Sequence, residues 1–244
     1  RTGNSFQYVC LSSAGFESYL KRTIENSNGT VLKEAVIGTN VQNGTQSLSL
    51  SNGTNLKINN VYDSRPPLVS DGAMYQHFVG LNIHARDPIF DDSTAILMDF
   101  RVCQSAGIHF MYILPFSRNS ALIESTVYST KLLANSWYKQ QIFNYIRQNF
   151  PKTNLDIISE EAGALPLNNK YPEVPFGIPI GLNANAMRAS TGYAFSQIMA
   201  QISELVLKIE SSPNKITVKK GSSFIEDFMD EIFLDVLSKS PQRA

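Results

Sequence analysis

The chain has 244 residues, 43% of them hydrophobic, with 21 Lys and Arg against 21 Asp and Glu. Zero net charge removes the basic excess that nucleic-acid binders depend on, so no nucleic-acid partner is expected. A charged fraction of 17%, against roughly 25% in average domains, points to a folded, core-rich protein and away from disorder.

Length allows one or two domains. No apolar run approaches the ~18 residues needed to span a bilayer, so membrane contact is expected to be peripheral. Arg1 opens the chain inside a polar stretch, which is read as an internal piece of a longer protein. Phe16, Tyr19, Leu20 and Ile24 recur at helical spacing and predict a short amphipathic helix over 13–25. Strands are then expected at 31–37, 45–50 and 55–62. The three Asn-Gly-Thr triplets, at 28–30, 43–45 and 52–54, are read as the turns between β segments, Asn-Gly being the favoured hairpin pair. Residues 63–70 form a Pro-containing loop. A strand-rich block follows, at 75–84, 94–102, 108–115 and 121–128. A helix over 132–150 is ended by Pro151, residues 155–167 are extended, and a Pro-rich loop surrounds 171–179. Two helices close the chain, 193–209 and 224–237. In the second, Phe224, Phe228, Ile232 and Val236 form a stripe read as a packing face. Cys10 and Cys103 lack close spacing and are expected to be free thiols.

Several chemistries are excluded. The fourteen glycines never fall as Gly-x-Gly, so the chain holds neither a dinucleotide fingerprint nor a Walker loop. There is no Gly-x-Ser-x-Gly elbow. His77, His84 and His109 lack paired-ligand spacing, and His77 and His84, seven apart on one strand, face opposite sides. No metal site is expected.

Four segments in register carry a resemblance. Val61-Tyr62-Asp63-Ser64-Arg65-Pro66-Pro67 leads to Tyr75-Gln76-His77-Phe78-Val79-Gly80. Leu97-Met98-Asp99-Phe100-Arg101 runs through Phe110–Phe116 into Leu122-Ile123-Glu124-Ser125-Thr126. Glu160-Glu161-Ala162-Gly163-Ala164-Leu165-Pro166 is the third. Gly181-Leu182-Asn183-Ala184, with Arg188-Ala189-Ser190-Thr191-Gly192-Tyr193, is the fourth. Together they resemble the lycopene cyclase family of carotenoid biosynthesis over residues 61–200. Members of that family open with a Gly-x-Gly-x-x-Gly unit that this chain lacks. Residues 1–25 resemble the segment that follows that unit, and the helix ending near Leu237 resembles the start of the family's C-terminal region. Asn185 stands where the flavin-contacting segment usually has Gly, so a side chain is expected to crowd the cofactor there.

The resemblance implies a mixed α/β, FAD-binding flavin hydroxylase-like fold, incomplete, with a β-sheet substrate region and C-terminal helices. Residues 1–70 are read as a remnant of the FAD-binding domain, 71–167 as the substrate sheet, 168–210 as a return to the FAD-binding domain, and 211–244 as the start of a helical region. It implies non-redox cyclisation of the ends of lycopene or a similar acyclic carotenoid to β-rings. FAD would act in its reduced form, with NAD(P)H as reductant, in a protein bound peripherally to the cytoplasmic side of a membrane. Alternatives are a related flavoprotein monooxygenase or prenyl-chain reductase, or an inactive chain that at most binds an apolar ligand.

Protonating an unactivated double bond needs a carboxylic acid kept neutral by burial. Glu124, with Ala121-Leu122-Ile123 before it and Val127-Tyr128 after it, is the candidate acid. Glu160 and Glu161 face opposite sides of a strand, so at most one enters the pocket, and Asp99 is a third candidate, either lining the cavity or accepting backbone hydrogen bonds at a turn. Asp63 and Arg65 are read as an ion pair tying a loop or as flavin contacts. Gly181, Ala184, Ser190, Thr191, Gly192 and Tyr193 are flavin-contact candidates by resemblance. Thr191-Gly192-Tyr193 is expected to open a helix that Ser190 and Thr191 cap. Phe110, Tyr112, Phe116 and Tyr128 either line a polyene tunnel or belong to the core.

Overall fold

A computed structural model describes residues 9–42, 45–65, 72–151, 154–167, 177–211, 218 and 223–239. The chain separates into two units, 1–61 and 62–244.

In the first unit, helix α1 (Ser13–Asn26) begins where the Gly15 amide donates to Ser12 Oγ, 3.3 Å away. It ends at Asn28, whose φ of 59° is left-handed, with the Gly29 amide donating to the Ile24 carbonyl at 2.8 Å. The first Asn-Gly pair therefore closes a helix and turns no hairpin, because Asn tolerates the left-handed conformation that a helix stop uses. Phe16, Tyr19, Leu20 and Ile24 all remain exposed. Strands β1 (Val36–Gln42), β2 (Thr45–Leu50) and β3 (Asn55–Ile58) form an antiparallel sheet in that order. The first strand starts at Val36 and not Val31, since its ladder begins opposite Leu50, the last residue of β2. The third ends at Ile58, opposite Gln46, and does not reach Tyr62. Asn43-Gly44 lies outside the described residues. The Asn52-Gly53 pair does turn the chain, Gly53 standing at φ 83°.

The second unit is organised by a five-stranded antiparallel sheet in the order β6-β7-β8-β5-β9. Its members are β5 (Tyr75–Ala85), β6 (Ile96–Asp99), β7 (Ile108–Ser117), β8 (Ser120–Ser129) and β9 (Leu155–Pro166). Strand β6 is shorter than the expected 94–102. Met98 has a positive φ of 54°, and Asp99 Oδ1 takes the Arg101 amide, so the ladder stops. Strand β4 (Tyr62–Asp63) pairs in parallel with β10 (Ile178–Pro179), which falls within the stretch expected to be a loop.

Alternation gives the sheet two faces. One carries Leu81, Ile113, Ile123 and Val127 and packs against Tyr138, Ile142, Tyr145 and Ile146 of helix α2 (Asn135–Asn149). His77 is buried on this side between the Tyr138 hydroxyl and Ser129 Oγ, and burial pulls its pKa down to about 4. His84, on the same strand, is exposed. The other face carries Phe110, Tyr112 and Tyr128, which cluster with Met74, Leu167, Met187 and Leu237. Two helices complete the unit, α3 (Phe195–Ser211) and α4 (Phe224–Lys239). At the start of α4, Ser223 and Glu226 exchange hydrogen bonds in a capping box. The expected packing stripe of α4 is exposed, Phe224 at 85%. The helix is held instead through Leu237 and through Asp230, which Arg188 grips at 2.8 Å. Cys10 and Cys103 are free and exposed.

Candidate active site

The face of the sheet turned away from α2 brings together residues that lie far apart in the sequence. Register places Tyr112 of β7 opposite Glu124 of β8, Glu124 opposite Gly80 of β5, and Gly80 opposite Glu161 of β9. These four positions form one row across the sheet. Gly80 stands in the middle of an eleven-residue strand. A Cβ there would lie 3.0 Å from Leu122 Cδ1, 3.1 Å from Glu161 Cγ and 3.2 Å from Glu161 Oε1. The missing side chain is therefore a notch into which Glu161 folds from one side. One turn of the pleat away, Phe78 lies over Gly163 in the same manner, a Cβ at 163 falling 2.7 Å from its Cε1.

Glu124 is half-buried. Desolvation pushes its carboxyl up to about 7, against the pull of a hydrogen bond from Thr126 and with the help of repulsion from Glu161. Thr126 Oγ1 donates to Glu124 Oε1 at 2.5 Å. Two positions along the strand, Thr126 shares this face and fixes one oxygen, leaving Oε2 to carry a proton. Phe110, Tyr112 and Tyr128 wall the site, Phe110 meeting the other two edge-on at 5.3 and 5.5 Å. Phe116 is exposed and takes no part in this wall. The Tyr112 hydroxyl lies 3.3 Å from that of Tyr193, and burial first, then Tyr193, holds the Tyr112 phenol well above its usual range.

Tyr193 belongs to a turn and not to a helix start. The Thr191 and Gly192 amides both donate to the Arg188 carbonyl, and the Arg188 amide donates to that of Tyr193. Gly192 takes φ 72°, a conformation that favours glycine, and a Cβ there would displace the Gln76 amide of β5. Helix α3 begins beyond this turn, at Phe195. Ser190 does not cap it. Its hydroxyl and amide donate to Asp230, whose carboxyl is raised by burial and brought below its ordinary value by Arg188 and Ser190 together.

The remaining cofactor candidates meet at a second point of the same unit. The parallel β4–β10 pairing sets Asp63 beside Pro179. The Ile180 amide donates to the Asp63 carbonyl at 2.9 Å, leading into a 3-10 turn over Gly181–Ala184. Arg65 grips the Asp63 carboxylate through Nε at 2.8 Å and Nη2 at 2.6 Å. Burial alone would raise that carboxyl, and Arg65 more than reverses the effect. Gly181 has φ 61° with open space where a Cβ would be, and its amide donates to Gln201 Oε1. Asn185 also stands in the left-handed region, at φ 59°, which Asn tolerates better than other residues with side chains. Its side chain is turned inward, 4% exposed, and among the described residues neither amide atom finds a partner.

Two sequence candidates lie elsewhere. Asp99 is on the α2 side, bound by Arg101 through two hydrogen bonds and by the Tyr145 hydroxyl at 2.7 Å. Those hydrogen bonds keep it ionised far below the usual carboxylate range despite burial. Glu160 also points to the α2 side, where Lys139 Nζ meets it at 2.5 Å. Of the adjacent pair, only Glu161 shares the face of Glu124. Sequence reasoning gave Gly80 and Thr126 no separate role. An isolated glycine inside an apolar strand was the available signal for the first.

The sequence profile described as lycopene cyclase protein matches residues 1–235. The chain belongs to the lycopene cyclase family. A lycopene beta-cyclase of Paracoccus sp. (strain N81106 / MBIC 01143) is 30% identical over 178 residues, covering 69% of this chain and 45% of that protein. A lycopene beta-cyclase of Pantoea ananas is 27% identical over 202 residues, covering 79% and 50%. The chloroplastic neoxanthin synthase of Solanum tuberosum is 26% identical over 161 residues, covering 61% and 32%. The chain thus spans half the length or less of these relatives. Among solved structures, a geranylgeranyl bacteriochlorophyll reductase-like protein of Thermoplasma acidophilum is 12% identical, with a TM-score of 0.58 over 94% of this chain and 60% of its own. VirX1 is 13% identical, with a TM-score of 0.53 over 90% and 44%. At such identities the likeness is one of fold. This lycopene cyclase family member has the mixed α/β, flavin hydroxylase-like fold expected from its motifs.

Proposed function

We propose that the protein cyclises the acyclic ends of lycopene or a similar carotenoid, with Glu124 as the acid. The observation that carries this reading is a half-buried glutamate set in one row with Tyr112 on the sheet face that Phe110 and Tyr128 share, where desolvation pushes its carboxyl up to about 7 and favours the protonated form. The Oε2–H bond breaks as its proton forms a C–H bond at the terminal alkene, leaving a tertiary cation. The neighbouring double bond attacks that cation and closes the ring, and loss of a C–H proton then sets the ring alkene. Electrons and atoms balance without an oxidant. Tyr112, Tyr128 and Phe110, buried together on this face, would exclude water from the cation.

The unpartnered amide of buried Asn185, next to the open backbone face of Gly181, fits a flat group with a polar edge. Gly181 and Ala184, with Thr191, Gly192 and Tyr193 on the turn that follows, would hold FAD, and the Asn185 side chain, turned inward, would meet its polar edge where the sequence suggested crowding. When bound in its reduced form, with NAD(P)H as reductant, that group supplies an electron-rich ring that favours positive charge nearby. Asp63 and Arg65 stiffen the loop beside it, and Ser190 anchors the turn to Asp230. A C40 polyene resides in lipid, so the protein would work at the cytoplasmic surface of a membrane.

The test is pigment analysis of lycopene-accumulating cells expressing the full open reading frame, as parent and as Glu124→Gln. Cyclic carotenoid from the parent and none from the variant is the expected result. Rings from both would move the acid elsewhere. Unchanged lycopene in both, with soluble protein, would overturn the activity.

A further inference from the structure

Ring formation needs a base as well as an acid, and the sheet offers a second carboxylate on the face of Glu124. Neighbouring strands are about 4.8 Å apart, so Glu124 and Glu161, one strand to either side of Gly80, have backbones about 10 Å apart. Glu161 does not extend away from the sheet. Its Cγ and Oε1 lie 3.1 and 3.2 Å from where a Gly80 Cβ would be, which folds the carboxylate over the glycine toward β8. The other carboxylates on these strands are placed differently. Asp99 and Glu160 are on the opposite face, each gripped by a cation. Asp156 pairs with His84, four positions along β5 from Gly80.

We infer that Glu161 is the general base of this site, taking the proton that the ring cation loses, and that Glu124 and Glu161 form one working pair across the Gly80 notch. The inference rests on the cyclase reading above. In each cycle Glu124 gives a proton to the alkene carbon and becomes a carboxylate. The C–H bond beside the ring cation breaks, its electron pair becomes the ring double bond, and its proton bonds to a Glu161 oxygen. Once the product leaves, that proton passes across Gly80 to Glu124, directly or through one water, and both groups return to their starting states. The notch suits glycine, since a side chain there would press on Glu161 and Leu122. Repulsion from the Glu161 charge also favours the protonated form of Glu124.

The experiment compares parent, Glu124→Gln, Glu161→Gln and Glu161→Asp, all full-length, by carotenoid analysis and by titration of Glu124 through its side-chain carboxyl carbon resonance. Because Glu161 is exposed, its variants should melt at the parent's temperature. Glu161→Gln is expected to cut ring formation at least ~100-fold, as loss of a general base does. The residual product should carry its ring alkene in a different position, because the cation loses another proton. Glu161→Asp, a base set back by one carbon, should fall between Gln and parent. The Glu124 midpoint should move down from about 7 in Glu161→Gln. Parent-like rate and parent-like rings from Glu161→Gln, or an unmoved Glu124 midpoint, would overturn the pairing while leaving the cyclase reading intact. No rings from the parent itself would sink both.

Discussion

Neutralising Glu124 should stabilise the protein, and only on the alkaline side. Its carboxyl rises from 4.5 to about 7 on folding. Between those values the folded chain holds a proton that the unfolded chain has released, so stability falls as pH increases through this window and the whole penalty is present above it. At about 1.4 kcal/mol per pH unit, the rise corresponds to about 3 kcal/mol, and solvent access to the half-buried side chain brings the expected figure to about 1–2 kcal/mol. Glu124→Gln keeps the shape and the hydrogen bond from Thr126 but never ionises. Urea unfolding of parent and variant at pH 4 and pH 8 checks this. The two should coincide at pH 4. At pH 8 the variant's midpoint should be higher by roughly 0.5–1 M, for an m-value of about 2 kcal/mol/M. An equal difference at both pH values, or a variant less stable at pH 8, would show that Glu124 folds without losing its hydration and would remove the physical basis for its acid role.

Asp99 should behave in the opposite sense. Asp99→Asn loses charge-assisted bonds from Arg101 and Tyr145, at a cost of about 2–3 kcal/mol near neutral pH. Its depressed pKa means that the parent's advantage is present above the ordinary carboxylate range and fades as pH falls below it, so thermal melts of the two proteins should converge toward pH 2. His77, held neutral by burial, should titrate near 4 in an imidazole NMR experiment. A midpoint near 6.5 would mean that the Tyr138 and Ser129 contacts open in solution.

Much of this architecture was legible in the sequence because it depends on local alternation. Strand β2 has its expected limits, and β5, β7, β8 and β9 lie within one or two residues of theirs. Where strand limits were misread, the ladder partner decided: β1 starts where Leu50 is available, and β3 stops opposite Gln46, next to the first residue of β2. The helix expected at Thr191–Tyr193 is a turn in which Gly192, at φ 72°, lies against Gln76, a contact between segments more than a hundred residues apart that no local pattern encodes. The acid candidate was readable from its apolar flanks. Its relation to Glu161 was not, because register between β8, β5 and β9 arises only when the sheet assembles. Adjacent Glu160 and Glu161 are chemically identical in the sequence, and the pleat alone separates them.

The short parallel pairing of β4 with β10 carries a kinetic consequence. It joins segments very distant in sequence, as the hydrogen bond from Asn183 to the Asp63 carbonyl spans 120 positions. Closing so long a loop in a disordered chain is entropically costly for so few bonds. The β7–β8 hairpin, by contrast, closes through a tight turn between Ser117 and Ser120. Local hairpins form early and distant pairings late, so the sheet that carries Glu124 should be in place before Asp63 and Gly181 meet. During refolding, the protein should acquire its acid face first and its loop-borne pocket afterwards, with the finished sheet serving as the splint that makes that last closure affordable.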